Sequence, residues 1–402
     1  MKKRLLFISP RFLFPADSGG KIRTSQILRG MKGGEFEITL LSPEPLETIE
    51  RYEDDLYQVA DHFIGWPGSN RHKFFSLTRL RHLLSSLPVS VATEISTQPL
   101  QLVAAELAKK PDVVVFDFVH SAIYAPSHIN TPSVMFTHNV EAEIFRRHAA
   151  ITNNPLTKLI WRDQLRKMEN FERRVLSHFS TVIAVSQRDA EYFQTEIGIP
   201  NVKVIPTGTD INFFSYSPPR NSNTLIFTGS MDWVANIDAI QFFMEKIWPT
   251  IIKQSPDAKM NVVGRSPPLS LIKNANARVS NWNFTGYVDD VRPYVWSSSV
   301  YVIPLRVGGG TRIKVFEAMA MGIPVVSTSI GVEGLGLKAG THYLNADNAA
   351  DFSAAVIKLL HDKDLHQTLS RNAREYVEKN FSSELVAKRF EHICLDTAGM
   401  SG

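Results

Sequence analysis

Short apolar runs alternate with helical patterns along almost the whole chain of 402 residues. A run of about four to six apolar residues is typical of a buried strand, and a helical pattern between two runs supplies the crossover that parallel strands need. The alternation therefore predicts α/β domains with doubly wound parallel sheets. Five strands are predicted in each half, at residues 4–9, 37–41, 113–116, 133–137 and 181–185, and at residues 224–228, 259–263, 282–285, 300–303 and 324–327.

Residues 206–223 separate the two sets of strands and are rich in Pro, Ser and Asn. A chain of this length exceeds one ordinary core, so two domains of roughly 150–200 residues are expected. We predict a Rossmann-like domain at 1–205, a linker at 206–223, a second Rossmann-like domain at 224–380, and a C-terminal helix at 381–402 that crosses back to the first domain. Ligands of such sheets bind beyond the carboxyl ends of the strands, which predicts a site in a deep cleft between the domains.

Composition narrows the class of protein. The net charge of +4 is too small to indicate nucleic acid, but it suits an anionic substrate or membrane surface. The single Cys394 argues against an internal disulfide and a cysteine zinc cluster, and favours a reducing compartment. The apolar run 5–8 is too short for a signal peptide, and no run approaches the ~20 apolar residues of a membrane span. We expect a cytoplasmic protein, or a peripheral one on the inner face of the plasma membrane.

Three glycines at 308–310 run directly into a helical pattern, and this turn carries the strongest functional signal. Free N–H groups at a helix start, together with the helix dipole, favour an anion such as a phosphate. Thr311 opens the predicted helix, and Arg312 and Lys314 lie in its first turn, where cations are disfavoured unless they meet an anion. Glu317 follows and would accept hydrogen bonds from ribose hydroxyls. The turn predicts a nucleotide site; the alternative is a capped helix with Lys314 and Glu317 paired on the surface.

Three further strand ends in the second half carry candidate binding residues. Gly229 and Ser230 lie in a turn of small residues, where a sugar or phosphate can approach the backbone. Arg265 follows the next predicted strand and offers a cation to a diphosphate. Tyr287 and Val288 lie in the loop after the third, and offer an aromatic face and backbone groups to a base. Two of them have a structural alternative: an ordinary strand-to-helix turn for the first, and a helix N-cap by the neighbouring aspartates for the last.

Two features of the first half point to the same predicted cleft. Gly19 and Gly20 follow the first strand and precede a helix predicted to begin near Lys21, so the backbone there can come close to a ligand. His138 follows the strand 133–137. It is either a hydrogen-bond donor to a sugar hydroxyl, a general acid or base, or a structural histidine.

Residues 71–87, from Arg71 to Leu87, interleave basic and apolar side chains. A basic amphipathic helix of this kind can lie on an anionic bilayer. The alternative is a solvated helix with an ordinary core face. The segment therefore leaves peripheral membrane contact open.

Five motifs occur in a fixed order: Gly19-Gly20, THNVE at 137–141, FTGSMDWVANIDA at 227–239, GYVDDV at 286–291 and GGGTRIKVFEAMAMGIPVVST at 308–328. This series resembles the retaining glycosyltransferases of family 4, which have the GT-B fold. The resemblance implies transfer of a sugar from a nucleotide diphosphate sugar to a hydroxyl acceptor, with retention and without a metal ion or cofactor. It also implies an acceptor-binding first domain and a donor-binding second domain. We favour a UDP-linked donor, a glycan or lipid-linked saccharide acceptor, no nucleic acid partner, and a role in bacterial polysaccharide biosynthesis.

The resemblance assigns roles residue by residue. Glu317 matches the acidic residue that holds the ribose hydroxyls, and His138 matches the histidine that contacts the transferring sugar. Gly19 and Gly20 match the loop near the diphosphate and the acceptor, and Val288 matches the position whose backbone reads the base. Four residues match the family segment whose backbone amides contact the diphosphate and the ribose: Gly310, Thr311, Arg312 and Ile313.

The chain departs from the family pattern at two places. Gly309 stands where the first Glu of the family's E-x7-E pair is expected, so the contact of that Glu with the donor sugar is open. The Arg-and-Lys pair that many members have after the first strand of the second domain is replaced by residues 230–233. Arg265, Arg312 and Lys314 are the candidates to supply the missing positive charge.

Catalysis of this kind should rest on neutralising the charge that grows on the departing nucleoside diphosphate. His138, Glu317, Arg312 and Lys314 are therefore the predicted catalytic set. Two other functions stay open: a nucleotide-sugar epimerase of similar fold, and a non-catalytic nucleotide-sugar-binding protein.

Overall fold

A computed structural model describes residues 2–45, 49–68, 81–152, 154–218, 222–279, 281–307 and 312–399. The chain divides into two compact units. The first unit comprises Met1–Gly208 together with Val386–Gly402, and the second comprises Thr209–Leu385. Each unit is described below by itself.

The described part of the first unit contains one parallel sheet, with strands β1 (Lys3–Ile8), β2 (Phe36–Pro43), β3 (His62–Trp66), β4 (Val113–Asp117), β5 (Ser133–Phe136), β6 (Thr181–Ala184) and β7 (Val202–Val204). Their order is β3-β2-β1-β4-β5-β6-β7, and every neighbouring pair is parallel. The direction of winding changes between β1 and β4. Ligands of such sheets bind in the crevice beyond the carboxyl ends at this switch point.

The second unit repeats the plan with strands β8 (Thr224–Thr228), β9 (Lys259–Val263), β10 (Trp282–Gly286), β11 (Val300–Ile303), β12 (Val325–Ser327) and β13 (Leu344–Asn345). The order in its described part is β10-β9-β8-β11-β12-β13, again parallel throughout. The switch point lies between β8 and β11. The loops at the carboxyl ends of these two strands are therefore the first place to look for a ligand site.

Helices connect the strands on both faces of each sheet. In the described part of the first unit they are α1 (Gly19–Met31), α2 (Glu53–Val59), α3 (Val89–Ala92), α4 (Thr97–Ala108), α5 (Glu141–Ile151), α6 (Pro155–Leu176) and α7 (Gln187–Tyr192). In the second unit they are α8 (Val234–Phe242), α9 (Trp248–Gln254), α10 (Leu269–Arg278), α11 (Arg292–Trp296), α12 (Ile313–Ala320), α13 (Ala349–His361) and α14 (Lys363–Phe381). The C-terminal helix α15 (Ser383–Gly399) belongs to the first unit from Val386 onward. Short 3-10 helices occur at Ile49–Tyr52, Val119–Tyr124 and Ile330–Val332, and π-helical turns at Phe193–Ile197 and Phe243–Ile247.

The central strands are apolar on both faces because both faces are covered. In β1, Leu5 and Phe7 enter one core cluster, while Leu6 and Ile8 enter the cluster on the other side of the sheet. Alternate side chains of a strand point to opposite faces, so a strand between two helical layers must be apolar at every position. This is why the central strands could be recognised as continuous apolar runs.

The α/β fold class with two Rossmann-like domains is confirmed, and all ten predicted strands are present with ends shifted by at most two residues. Three strands of the structure were missed: β3, β7 and β13. The strands β3 and β7 form the two edges of the first sheet, and β13 forms an edge of the second. Edge strands are short and only partly covered, so they lack the apolar run on which the sequence argument depends.

The C-terminal helix α15 packs in the core of the first unit. Val386, Phe390 and Cys394 are buried there, and the ring of Phe390 meets that of Phe136 with centroids 4.9 Å apart. Residues 209–218, which the sequence assigned to the linker, lie with the second unit, where Ile211 and Phe214 pack against the apolar core.

Candidate functional site

The loops after β8 and β9 pack closely at the carboxyl edge of the second sheet. The Gly229 N–H donates to the carbonyl of Val263, and the Met231 N–H donates to the carbonyl of Arg265, both at 2.9 Å. Gly264 has a φ of +155°, and a Cβ there would lie 2.0 Å from the Gly229 carbonyl oxygen. Because only glycine allows this approach, the two loops form one compact surface beside the switch point.

Arg265 forms a local network on this surface. Its Nε donates to the Ser230 hydroxyl at 2.9 Å and lies 3.3 Å from the Asp232 carboxylate, which also accepts from Ser230 Oγ at 2.6 Å. The hydrogen bond from Ser230 and the nearby guanidinium lower the pKa of Asp232. Ser230 and Arg265, both predicted to bind the donor, are therefore in contact. Asp232 offsets part of the positive charge of Arg265.

Lys314 extends from α12 to the end of β8. Its ammonium donates to the Thr228 carbonyl at 3.2 Å and to Asn236 Oδ1 at 3.3 Å, and it lies 4.3 Å from the centroid of the Phe227 ring. Burial lowers the pKa of Lys314 from 10.5 to about 7. The alternative of a surface pair between Lys314 and Glu317 is wrong, because the lysine is partly buried and bonded to the β8 end.

Glu317 lies about one turn after Lys314 on the same helix. Burial raises the pKa of this carboxyl from 4.5 to about 7, with Lys314 acting in the opposite direction. Burial raises the pKa of the Tyr301 hydroxyl, which shares a hydrogen bond with the Thr228 hydroxyl, and the charge of Glu317 adds to this shift. A partly buried ammonium therefore lies at the carboxyl end of β8, and a partly buried carboxyl follows it about one turn later on α12.

The helix start differs from the prediction. The sequence predicts a helix that begins at Gly310 and Thr311. Among the described residues, α12 begins at Ile313, with Arg312 as its N-cap. The predicted site residues Gly309, Gly310 and Thr311 lie outside the described residues. Their predicted contacts with the donor therefore stay predictions.

Arg312 is directed to a neighbouring loop. It is only 4 % exposed, and its Nη2 donates at 3.0 Å to the carbonyl of Ile330, at the start of a 3-10 turn. Its positive charge also helps to lower the pKa of Lys314. The guanidinium stabilises the loop after β12, and its contact with a diphosphate stays a prediction.

The loop after β10 presents an aromatic face to solvent. Gly286 has a φ of +71°, Tyr287 is 72 % exposed, and Val288 packs against the apolar core. Asp290 Oδ1 accepts from the backbone N–H of Arg292, the first residue of α11, at 2.9 Å, but the N-cap is Val291, so the expected N-cap by an aspartate is wrong. The exposed ring of Tyr287 remains available to stack on a base.

His138 follows β5 at the carboxyl edge of the first sheet and is 7 % exposed. Its Nε2 lies 2.7 Å from Oδ1 of Asp117, a fully buried carboxylate at the end of β4 that also accepts from Ser9 and Thr24. Burial lowers the pKa of His138, although Asp117 acts in the opposite direction. The imidazole is therefore neutral at pH 7. The contact with Asp117 assigns the proton to Nε2 and leaves Nδ1 as a hydrogen-bond acceptor.

Gly20 is fixed by close contact with the same group of residues. The helix α1 begins at Gly19, two residues before the predicted start, and a Cβ on Gly20 would lie 2.5 Å from the Phe118 ring. That ring stacks on His138 with centroids 4.0 Å apart, and Phe118 itself has a φ of +59°. The same Cβ position is 3.7 Å from His138 Nδ1, whereas a Cβ on Gly19 would meet nothing within 4 Å. The structure thus brings Gly20 and His138 together, as the sequence predicted.

Sequence reasoning missed two buried charged residues beside His138. Asp117 orients the imidazole, and Arg23 of α1 donates to the carbonyls of Thr137, at 2.9 Å, and Ile205. Burial lowers the pKa of Arg23 to about 9, with Asp117 opposing the shift. A carboxylate directly after the apolar run of β4 was the available signal for Asp117.

The predicted membrane segment is described only in part. Residues 71–80 lie outside the described residues, so the amphipathic helix from Arg71 to Leu87 stays a prediction. Within the described ranges, none of the helices has both the length and the hydropathy needed to cross a bilayer.

Comparisons with known proteins give matches over both units. Residues 18–213 match the family model described as Glycosyltransferase Family 4, and residues 222–362 match the model described as Glycosyl transferases group 1. The chain is 20% identical over 396 residues to an uncharacterized 44.6 kDa protein in the cps region of Klebsiella pneumoniae, covering 95% of this chain and 97% of that protein. It is 26% identical over 229 residues to a phosphatidyl-myo-inositol mannosyltransferase of Mycobacterium leprae, covering 55% and 60%. Anabaena HepE in complex with UDP has a TM-score of 0.65 and 16% identity, with 98% and 99% of the chains covered.

The fold and these matches define a glycosyltransferase with the GT-B fold. The chain joins a domain of the family 4 type in its first half to a domain of the group 1 type in its second.

Proposed function

We propose that this glycosyltransferase moves a sugar from a UDP-linked donor to a hydroxyl of a glycan or lipid-linked saccharide, with retention of anomeric configuration and without a metal ion. The observation that carries the proposal is that the Lys314 ammonium is bonded to the carboxyl end of β8 and that Glu317, whose carboxyl pKa is raised by burial, follows about one turn later on the same helix. One offers a cation to a diphosphate and the other offers an acceptor to ribose hydroxyls. Anabaena HepE, which has a similar fold, is described in complex with UDP.

The chemical role of Lys314 follows from its surroundings. A partly desolvated ammonium interacts strongly with an anion, because the local dielectric is lower than that of water. A bound diphosphate raises the pKa of Lys314 and keeps the ammonium charged. As the glycosidic bond breaks, this charge stabilises the departing nucleoside diphosphate. Loss of one such interaction typically reduces turnover roughly 10²–10³-fold.

Glu317 distinguishes a nucleotide from a simple phosphate. An ionised carboxylate accepts two hydrogen bonds from vicinal ribose hydroxyls, and its proximity to Lys314 favours the ionised form. Tyr287, with its exposed ring, is positioned in the loop after β10 to stack on the base. These contacts select the nucleoside half of the donor.

His138 acts from the first unit. With Nε2–H donated to Asp117, the neutral ring presents Nδ1 as an acceptor for a sugar hydroxyl, in place of the donor role considered from the sequence. Asp117 holds this tautomer and the ring orientation. The role is one of positioning the transferring sugar near Gly20, whose missing side chain lets the Phe118 ring pack against the backbone beside His138.

Nucleotide binding is the first test of the proposal. Thermal melts with UDP, GDP and inorganic pyrophosphate should show the largest stabilisation with UDP, because bound ligand stabilises by RT ln(1 + [L]/Kd). Glu317→Gln should reduce the UDP shift and leave the pyrophosphate shift nearly intact. Equal shifts with UDP and pyrophosphate for the unmodified protein would contradict a nucleotide site.

Product analysis separates the transferase from the alternatives. NMR of the reaction in EDTA should show transfer to an added saccharide acceptor with the anomeric configuration of the donor. Conversion of the donor sugar without acceptor, into its epimer, would support an epimerase. Tight UDP binding with neither transfer nor donor hydrolysis, across a panel of acceptors, would support a binding protein.

The cellular setting is also proposed. One relative that spans nearly the whole chain is described as lying in the cps region of its genome. We place this enzyme on the cytoplasmic side of the membrane, in polysaccharide assembly. A deletion strain with unaltered surface polysaccharide composition would argue against that setting.

A further inference from the structure

A buried asparagine lies in the first turn of α8, behind the loop that follows β8. Asn236 is only 3 % exposed. Asparagine is seldom buried, because its amide carries two N–H donors and a carbonyl oxygen that lose their hydrogen bonds with water. Burial of this amide therefore has to be compensated by specific partners.

The two ends of the Asn236 amide meet partners of opposite kind. Its Nδ2 donates at 2.8 Å to the carbonyl of Ser230, and its Oδ1 accepts at 3.3 Å from the ammonium of Lys314. A carbonyl oxygen can only accept and an ammonium can only donate, so one orientation of the amide serves both partners. An aspartate lacks the donor, and an aliphatic side chain lacks both groups. Asparagine therefore joins the loop after β8 to α12 in a way that these side chains cannot.

The backbone of the loop after β8 is shaped to admit this amide. A Cβ on Gly229 would lie 2.8 Å from Asn236 Nδ2, and a Cβ on Gly264 would lie 2.0 Å from the Gly229 carbonyl oxygen. The Gly229 N–H is also held by the carbonyl of Val263 at 2.9 Å. Close packing on both sides of Gly229 therefore fixes the amide in addition to its hydrogen bonds.

Asn236 supplies one of two oxygen atoms that hold the Lys314 ammonium. The other is the carbonyl of Thr228, at 3.2 Å. An ammonium has three N–H donors, and among the described residues these two oxygens are its hydrogen-bond acceptors. A third donor is therefore left for an oxygen atom of a ligand.

The amide holds the ammonium without adding a charge. Burial lowers the pKa of Lys314, Arg312 lowers it further, and Glu317 acts in the opposite direction. Both charged residues belong to the α12 side, where Arg312 is the N-cap, whereas the end of β8 and the helix α8 offer neutral oxygens. A carboxylate in place of the amide would offset the positive charge and repel a diphosphate. The neutral amide fixes the cation and leaves its charge for the ligand.

We propose that Asn236 is a positioning residue for the nucleotide donor: it holds the Lys314 ammonium at the carboxyl end of β8, where the ammonium meets the diphosphate. This role rests on the proposed function, because it takes Lys314 as the diphosphate ligand. Asn236 acts through Lys314 and touches no part of the donor itself. The same amide holds the Ser230 carbonyl, so the loop after β8 and the cation keep a fixed relative position.

A double-mutant cycle on UDP binding tests whether Asn236 acts through Lys314. Asn236→Ala should raise the UDP Kd about tenfold, which is typical for the loss of a hydrogen bond to a charged group. In a Lys314→Met background the same substitution should change the Kd less than about twofold, because the ammonium is gone. The matched control is Gln241→Ala, at an exposed position on the same helix, which should leave the Kd unchanged. Thermal melts confirm that each variant is folded at the assay temperature.

Asn236→Asp provides a second test that does not depend on the stability of the alanine variant. It keeps the shape of the side chain and adds a negative charge. The carboxylate should weaken UDP binding at pH 6.5 at least about tenfold, because it offsets the charge of Lys314. It should also move the loss of UDP affinity with rising pH to a higher pH, because a neighbouring carboxylate raises the pKa of an ammonium.

The outcomes separate this role from the donor site itself. A wild-type Kd in Asn236→Ala and Asn236→Asp, with weak UDP binding by Lys314→Met, would overturn the role of Asn236 and leave the donor site intact. An equal loss of affinity from Asn236→Ala in both backgrounds would also overturn the role, since Asn236 would then act independently of Lys314. Unchanged UDP affinity in Lys314→Met would overturn both the role of Asn236 and the assignment of Lys314 to the donor.

Discussion

Replacement of Lys314 by methionine should make the protein more stable and a poorer binder of UDP. The ammonium is partly buried against Phe227 and donates to the Thr228 carbonyl and to Asn236. Methionine has a similar length and fills the same space without a charge. The two properties should change in opposite directions because the charge is useful only when an anion is bound.

The size of the stability change follows from the pKa. Burial lowers the pKa of Lys314 from 10.5 to about 7, and each pKa unit is worth about 1.4 kcal/mol, so the charged side chain costs on the order of 5 kcal/mol at pH 7 or below. Loss of two hydrogen bonds and one cation–π contact takes away about 3 kcal/mol. The variant should therefore gain about 2 kcal/mol, a rise of roughly 4–8 °C in Tm for a unit of this size.

The gain should depend on pH in a defined direction. The folded-state pKa of Lys314 is lower than the unfolded one, so the unfolded protein binds the extra proton between pH 7 and pH 10.5. Wild-type stability therefore rises relative to the variant as the pH increases through this window. The advantage of the methionine variant should be largest at pH 7 or below, should disappear near about pH 8–8.5, where the charging cost has fallen to about 3 kcal/mol, and should reverse toward pH 10.5.

Thermal melts over this pH range, with and without UDP, measure both effects. The UDP dissociation constant of the variant should rise about 10–100-fold, since a charge-assisted contact with the diphosphate is lost. Lys253→Met, at an exposed position on α9, is the matched control and should change stability by no more than about 0.5 kcal/mol. A variant less stable than wild type at pH 6.5, or a difference that does not shrink with pH, would refute the burial argument. Stabilisation with unchanged UDP affinity would refute the assignment of Lys314 to the donor.

Other substitutions test the remaining parts of the site. Glu317→Gln should gain stability relative to wild type as the pH rises from 4.5 through 7. The reason is that burial raises the pKa of the Glu317 carboxyl, so that its ionised form opposes folding. Chemical denaturation at pH 5 and at pH 8 measures this difference in stability. His138→Ala should lower kcat roughly 10²-fold in steady-state assays with little change in UDP affinity, since the residue lies in the first unit. Gly20→Ala places a Cβ 2.5 Å from the Phe118 ring and should destabilise by about 1–3 kcal/mol, whereas Gly19→Ala, with nothing within 4 Å, should be neutral in the same melts.

Strands whose own residues determine them are predictable from the sequence, whereas strands formed by pairing with a neighbour are not. The strand β4 is a run of apolar residues covered on both faces, so its pattern alone marks it. The edge strand β3 begins with an exposed histidine and contains Gly65, and it becomes a strand because β2 offers its backbone groups for pairing. Pairing of that kind is decided by the neighbouring strand and leaves little trace in the strand's own residues.

The candidate site divides in the same way. Lys314 and Glu317 were predicted because the spacing of one helix places both near its start. Asp117 lies 108 residues from Ser9 and 21 from His138, and only the β1-β4-β5 order brings their side chains together. No local pattern marks such a network, so the predicted hydrogen-bond role of His138 had to be revised once its partner was known.

At the carboxyl edges of both sheets, burial shifts the pKa values of ionisable groups. At each edge a parallel sheet with apolar faces withdraws ionisable groups from water, so the pKa values of Lys314, Glu317 and His138 are displaced by burial before any ligand binds. A group held near its point of titration gains most from a ligand that brings the opposite charge or a matching hydrogen bond. A diphosphate supplies that charge to Lys314, whereas a neutral sugar cannot. Discrimination in favour of the nucleotide donor should therefore be strongest at pH 7 or below, where Lys314 already carries its charge, and should weaken above pH 7, where diphosphate binding requires uptake of a proton.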